Sequence, residues 1–186
     1  FRAGAWRNDA ERLSGVPTRE RGNEYQVLFC FQLITNSTVL RLRRPERTAS
    51  LLRSLIDVVG SRFYLPPSML ARILALADPI VTGGGGLLRF EGFSACCSTY
   101  CRVDLLAEAI DGTWLGHGTT NVDFGAAMRA GLARIRDTDR VGLAVGSDLV
   151  SLRRGDQTIV ERKVALPVRW LKGLVEVQAY QARVES

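Results

Sequence analysis

At 186 residues the chain can build one domain with a real hydrophobic core, and 46% hydrophobic against 24% charged residues excludes disorder over its whole length. The longest apolar run, Tyr25–Ile34, is about ten residues, whereas a membrane span needs ~20, so no membrane partner is expected. The net charge of +6 and the lack of a basic–apolar–small leader point to a basic, non-secreted, cytoplasmic protein.

Residues 1–24 mix Arg, Gly, Asn and Glu without periodicity and read as a flexible lead-in to a single domain over 25–186. Tyr25–Ile34 and Thr38–Arg43 read as strands around a Thr35–Asn36–Ser37 turn, the second alternating apolar and basic residues. Pro45 ends that strand, and Thr48 is the expected cap of a helix to about Val59, with Leu51, Leu52, Leu55, Ile56 and Val59 in one stripe. A short strand Arg62–Leu65 and a helix from Pro66 to about Ala77 follow. The glycine run Gly83–Gly86 lacks the Gly-Lys-Ser/Thr and the following helix of a phosphate loop, so it reads as a hairpin connection into Leu87–Phe90. Ala95–Leu105 is the expected partner strand, with a turn of helix over Leu105–Ile110. Then come a strand Asn121–Phe124, a helix Ala126–Ile135 and strands Val141–Val145, Leu149–Arg153 and Thr158–Leu166. Arg154–Gly155–Asp156 is a hairpin signal between the last two, and a final helix runs from Trp170 to about Val184.

Cys96, Cys97 and Cys101 form one lopsided group with no second ligand pair, so packing is expected rather than zinc binding. His117 is the single histidine and matches no nucleophile motif. With no nucleophile–base pair, metal cluster or cofactor fingerprint, the expectation is a non-enzyme without a cofactor.

Laying Phe63 on Val122 also aligns Leu65 with Phe124, Met69 with Met128, Ile73 with Leu132 and Leu76 with Ile135. Two pseudo-repeats, about 60–118 and 119–178, follow. One such unit cannot bury its own helix-facing sheet, and two side by side can. The expected fold is α+β, an antiparallel sheet with helices on one face and an internal β-α-β-β duplication. That element order resembles the repeating unit of DNA sliding clamps, and the resemblance implies helices facing DNA and sheets outside.

A second resemblance lies in longer strings. Arg62–Pro67, Leu88–Cys97, Gly118–Phe124, Val160–Val164 and Arg169–Gly173 are similar to the N-terminal region of bacterial SWIM zinc-finger proteins. The resemblance implies a DNA-repair-associated protein, some of whose relatives are compared with Ku, with a zinc-binding SWIM module in its C-terminal part. The C-x-C and C-x-H pairs of that module are absent from this sequence, so zinc is not expected in this stretch. The chain opens on Phe1 rather than Met, which suggests an excerpt from a longer protein.

Of the 25 basic residues, only Lys163 and Lys172 are lysines. Positive charge is concentrated in the first fifty residues and the last thirty-six, whereas residues 101–150 carry more acids than arginines. If the two ends meet, one basic face results, the footprint of a nucleic-acid partner. The expected phosphate contacts are Arg41, Arg43, Arg44, Arg47, Arg153, Arg154, Arg162, Lys163, Arg169 and Lys172. Trp170 is expected either to stack on an unpaired base or to pack helix against sheet. The partner is then single- or double-stranded DNA, with nucleoid association. The alternative is a self-associating interaction scaffold, whose signature is an exposed apolar patch on the terminal helix or on a strand edge.

Overall fold

In the computed structural model a strand–helix–strands order occurs twice; residues 38–62, 68, 78–114, 116–166 and 168–184 are described. The first pass is β1 (Thr38–Leu42), α1 (Pro45–Gly60), β2 (Ile80–Gly84), β3 (Leu87–Phe93), β4 (Tyr100–Leu105) and β5 (Ile110–Thr113). The second is β6 (Gly118–Asn121), α2 (Ala126–Ala133), β7 (Val141–Val145), β8 (Leu149–Arg154) and β9 (Gln157–Arg162), with α3 (Val168–Val184) last. All of these fall in one unit, Phe31–Ser186. The expected lead-in, the Tyr25–Ile34 strand and residues 63–67 and 69–77, which carry the first half of the repeat alignment, lie outside the described residues.

The fold is α+β and its strand pairings are antiparallel. The strands divide between two sheets, β5-β1-β7-β8-β9 and β4-β3-β2-β6. Each sheet obeys the two-residue alternation of a half-buried strand. In the five-stranded sheet Leu40, Leu143, Leu152 and Ile159 are in register on the covered side, and the first three are almost wholly buried. In the four-stranded sheet Val81 and Phe90 do the same, and Phe90 meets Phe124 at a ring separation of 6.1 Å. α1 packs on β3 and β4, α2 packs on β9, and the two helices touch each other. Gly131 of α2 lies against Ile159 and Leu152, which fixes the covered side of the larger sheet.

Several boundaries differ from the sequence reading, each for a local reason. β1 stops at Leu42, ahead of Pro45 as expected, but Pro45 itself starts α1, ahead of the expected Thr48 cap, because a proline at the first helical position gives up an N–H that has no intrahelical partner there. Thr48 is buried inside the helix, so it is not the cap. Asp137 caps it instead: its carboxylate accepts the Glu46 N–H at 3.1 Å, while the Glu46 carboxylate accepts the Asp137 N–H at 3.3 Å. Gly83 and Gly84 belong to β2, and only Gly85 and Gly86 make the turn, both at positive φ (61° and 81°) as a tight two-residue hairpin demands. The expected strand from Ala95 begins at Tyr100, because residues 94–99 fold into a turn held by Ser94 N–H to Thr99 O and Cys97 N–H to Ser94 O. The expected turn of helix over Leu105–Ile110 is a turn over residues 107–109, and Ile110 opens a strand, Ile110–Thr113, on the edge beside β1.

Candidate nucleic-acid interface

Opposite the covered side, the five-stranded sheet presents a row that runs Asp111–Arg41–Gly142–Arg153–Thr158 across all five strands. Leu40 and Leu42 are buried, so Arg41 between them points away from the core. The same alternation turns Arg153 outward beside buried Leu152. The two arginines stand one strand to either side of Gly142, roughly 10 Å apart at the interstrand spacing. Arg153 Nε donates to the Gly155 carbonyl at 3.3 Å, which steadies the side chain at the β8–β9 hairpin. The next row is Val39–Ala144–Ser151–Val160, with Val39 59% and Val160 51% exposed. Arg162 follows Val160 on this face by the same two-residue step. Arg43 stands just past β1, its guanidinium 4.0 Å from the Asp111 carboxylate.

The structure therefore gathers Arg41, Arg43, Arg153 and Arg162 and separates the remaining expected contacts. Arg44 is the N-cap of α1 and Arg47 lies in its first turn, on the helix that packs against β3 and β4 of the other sheet. Arg154 faces the covered side in register with Val141, and its Nε lies 2.9 Å from the Asp139 carboxylate, so its charge is largely compensated. Lys163 bridges to Val122 at the end of β9, and Lys172 is exposed on α3. Arg169 is half-buried near Cys97. Trp170 is completely buried: its ring lies edge-on to Phe93 at 5.9 Å, and a Cβ on Gly92 would stand 3.1 Å from it. It is a packing residue, and the base-stacking role expected as one of its two readings is corrected.

The outer face of the four-stranded sheet is electrostatically different. Its row is Thr119–Thr82–Arg89–Asp104, with the two threonine hydroxyls 3.0 Å apart. Arg89 donates to both Asp104 oxygens, at 2.8 and 3.1 Å, and Arg102 adds a contact at 3.3 Å. The Arg89 hydrogen bonds hold the Asp104 carboxyl below the usual carboxylate range, and the same bonds raise Arg89. Tyr100 donates to Glu91 at 2.6 Å; burial first, then that bond, pushes the phenol well up. These cations are satisfied by neighbours within the sheet.

Sequence reasoning missed the residues between the arginines. Gly142, Ala144 and Ser151 are small and give the face a low floor, but nothing in their spacing marks them until the register is known. Among the described residues, no three His, Cys, Asp or Glu side chains converge to hold a metal ion. Cys97 is exposed, Cys101 is half-buried, and burial pushes the Cys101 thiol up to about 11. Among the described residues no helix is long and apolar enough to cross a membrane.

No family description matches the chain, and no curated protein is significantly similar to it. Among solved structures, the chain is similar to a DNA polymerase III subunit beta sliding clamp from Bartonella birtlesii bound to griselimycin, at 14% identity and a TM-score of 0.48. That match covers 71% of this chain and 32% of the clamp chain. The clamp from Pseudomonas aeruginosa bound to griselimycin matches at 15% identity and 0.45, over 69% and 31%. The PCNA2–PCNA3 complex from Sulfolobus tokodaii matches at 13% and 0.44, over 80% of this chain and 53% of that one. The chain thus spans about a third to a half of the length of the solved chains it is similar to.

Proposed function

We propose that this chain is a non-catalytic DNA-binding domain that holds nucleic-acid phosphates on the outer face of its five-stranded sheet. The observation that carries the reading is the register Arg41–Gly142–Arg153, which brings a cation from near the start of the chain beside one from near its end. Arg43 and Arg162 extend the cationic face, and Asp111 is the carboxylate in the same row. Guanidinium–phosphate contacts of this kind position a backbone without reading bases. The face would give a SWIM-type DNA-repair protein a sequence-independent grip, with zinc binding left to a module elsewhere in that protein.

The test is a mobility-shift titration of the chain with single- and double-stranded DNA at about 50 and about 200 mM salt. Neutralising three or four duplex phosphates predicts an affinity loss of roughly 100-fold over that range. Arg41→Ala/Arg153→Ala is expected to weaken binding and flatten the salt slope by about 2, whereas Arg154→Ala leaves the slope unchanged. A double variant that binds like the parent, or binding lost instead through Arg47→Ala on α1, overturns the assignment of this face.

A second reading, an interaction scaffold, is favoured by one observation: α3 exposes Val168, Val175, Tyr180 and Val184. Absence of any shift at low salt, together with concentration-dependent self-association in sedimentation velocity, selects the scaffold.

A further inference from the structure

A cleft opens between α2 and the β8–β9 hairpin, on the covered side of the five-stranded sheet and opposite the Arg41–Arg153 row. Its volume is about 390 Å³, inside the roughly 300–1,000 Å³ of small-ligand sites. The floor is apolar: Leu152 and Ile159 stand in register across β8 and β9, and Gly131 of α2 lies against both. Ala130, Gly131 and Arg134 share one face of α2 by helical spacing, so this wall of the cleft ends in a guanidinium. On the other wall Arg154 and Gln157 are partners across the hairpin, and both line the cleft.

The two arginines are held differently. Arg154 is oriented by Asp139, whose carboxylate lies 2.9 Å from the Arg154 Nε and accepts the Arg136 N–H at 2.8 Å. That contact engages one edge of the guanidinium, and among the described residues the terminal nitrogens of Arg154 meet no acceptor. Arg134 is exposed at the C-terminal end of α2, and its guanidinium meets no carboxylate among the described residues. Arg134 therefore brings uncompensated charge and Arg154 brings a fixed donor geometry. Asp139 stands behind Arg154, and no acidic side chain lines the cleft among the described residues.

An apolar floor under a cationic rim selects a ligand with both characters. Hydrocarbon leaves water on the floor, while a carboxylate takes paired N–H donors from a guanidinium. We propose that this cleft is a second binding site, one that takes an aliphatic carboxylate. Its branched hydrocarbon rests on Leu152 and Ile159, its carboxylate lies between Arg134 and Arg154, and the Gln157 amide is a further donor. A nucleic-acid phosphate has no aliphatic body to place on that floor, so this site is separate from the cationic face across the sheet. A free branched acid and the terminal leucine of a peptide present the same chemistry.

Titration of the full chain with isocaproate and with N-acetyl-leucine, followed at backbone amides by NMR, tests the site. Saturable shifts are expected at the Ala130 and Gly131 amides in the low-millimolar range, with amides in the middle of β3 unmoved. Acetate and neutral isohexanol each carry half of the chemistry and are expected to bind at least about tenfold more weakly. Arg134→Gln removes the charge at an exposed position and is expected to weaken isocaproate about tenfold or more. Ala130→Leu, also exposed, fills the cleft with both arginines in place and is expected to abolish the shifts. Tighter binding of N-acetyl-leucine assigns the site to a peptide end, and tighter binding of isocaproate assigns it to a free acid. No saturation by either acid up to about 20 mM, acetate binding as tightly as isocaproate, or an affinity unchanged in either variant overturns the proposal.

Discussion

Gly131 of α2 and Ile159 of β9 approach so closely that a single methyl group on the glycine would overlap the Ile159 Cδ1 atom. This contact lets α2 lie directly on the sheet whose opposite face carries Arg41 and Arg153. In an ordinary helix interior, replacing glycine by alanine stabilises by about 1 kcal/mol. Here the sign is expected to reverse. Gly131→Ala should destabilise by about 1–3 kcal/mol in urea unfolding, through overpacking of the helix against the sheet. Adding Ile159→Val removes the Cδ1 atom and should restore most of the loss; a double variant as unstable as the single one contradicts this account.

Trp170 separates packing from nucleic-acid contact. Its indole N–H meets no acceptor among the described residues, so Phe in its place forfeits ring volume and no hydrogen bond. Trp170→Phe is expected to cost about 1–2 kcal/mol, and Trp170→Ala about 3–5 kcal/mol. The salt slope of DNA binding should be the same for Trp170→Phe and the parent chain. A slope or single-strand preference that changes in the Phe variant would return this residue to the interface.

The Arg89–Asp104 pair gives the protein an acid limit. The Arg89 bonds hold Asp104 below its ordinary value in the folded chain. The stability it contributes is therefore present above the ordinary carboxyl range and is lost as pH falls through the depressed value. Arg89 keeps its charge throughout, so Asp104 is the partner that titrates. Asp104→Asn should lower stability at neutral pH by about 1–3 kcal/mol and make the decline on acidification shallower. Equal acid sensitivity in the variant and the parent, measured by thermal unfolding from about pH 7 to about pH 3, would assign the acid limit elsewhere.

Much of the second half was legible in the sequence. Met128, Leu132 and Ile135 recur at helical spacing and are buried; β7, β8 and β9 fall close to where alternation and the Gly155 turn put them. The arginines near both ends of the chain were also legible as a charge bias. What local pattern could not give was their sorting. Arg153 and Arg154 are neighbours in sequence, yet one faces solvent beside Arg41 and the other turns toward Asp139 on the covered side. A strand's two-residue period separates such neighbours, but only pairing with β7 decides which of them faces out.

The sequence by itself determined the class of elements, the apolar stripes that bury them and the glycine-set turns, because each depends on residues within a few positions of one another. Tertiary structure alone decided three other things. It capped α1 with Asp137, a residue 91 positions away. It put Gly142 between Arg41 and Arg153, and it brought the Glu161 carboxylate of β9 onto the Gly125 N–H at the start of α2. Each of these rests on strand register and chain crossing, where the burial of whole faces sets which distant residues meet, and no short-range periodicity encodes that choice.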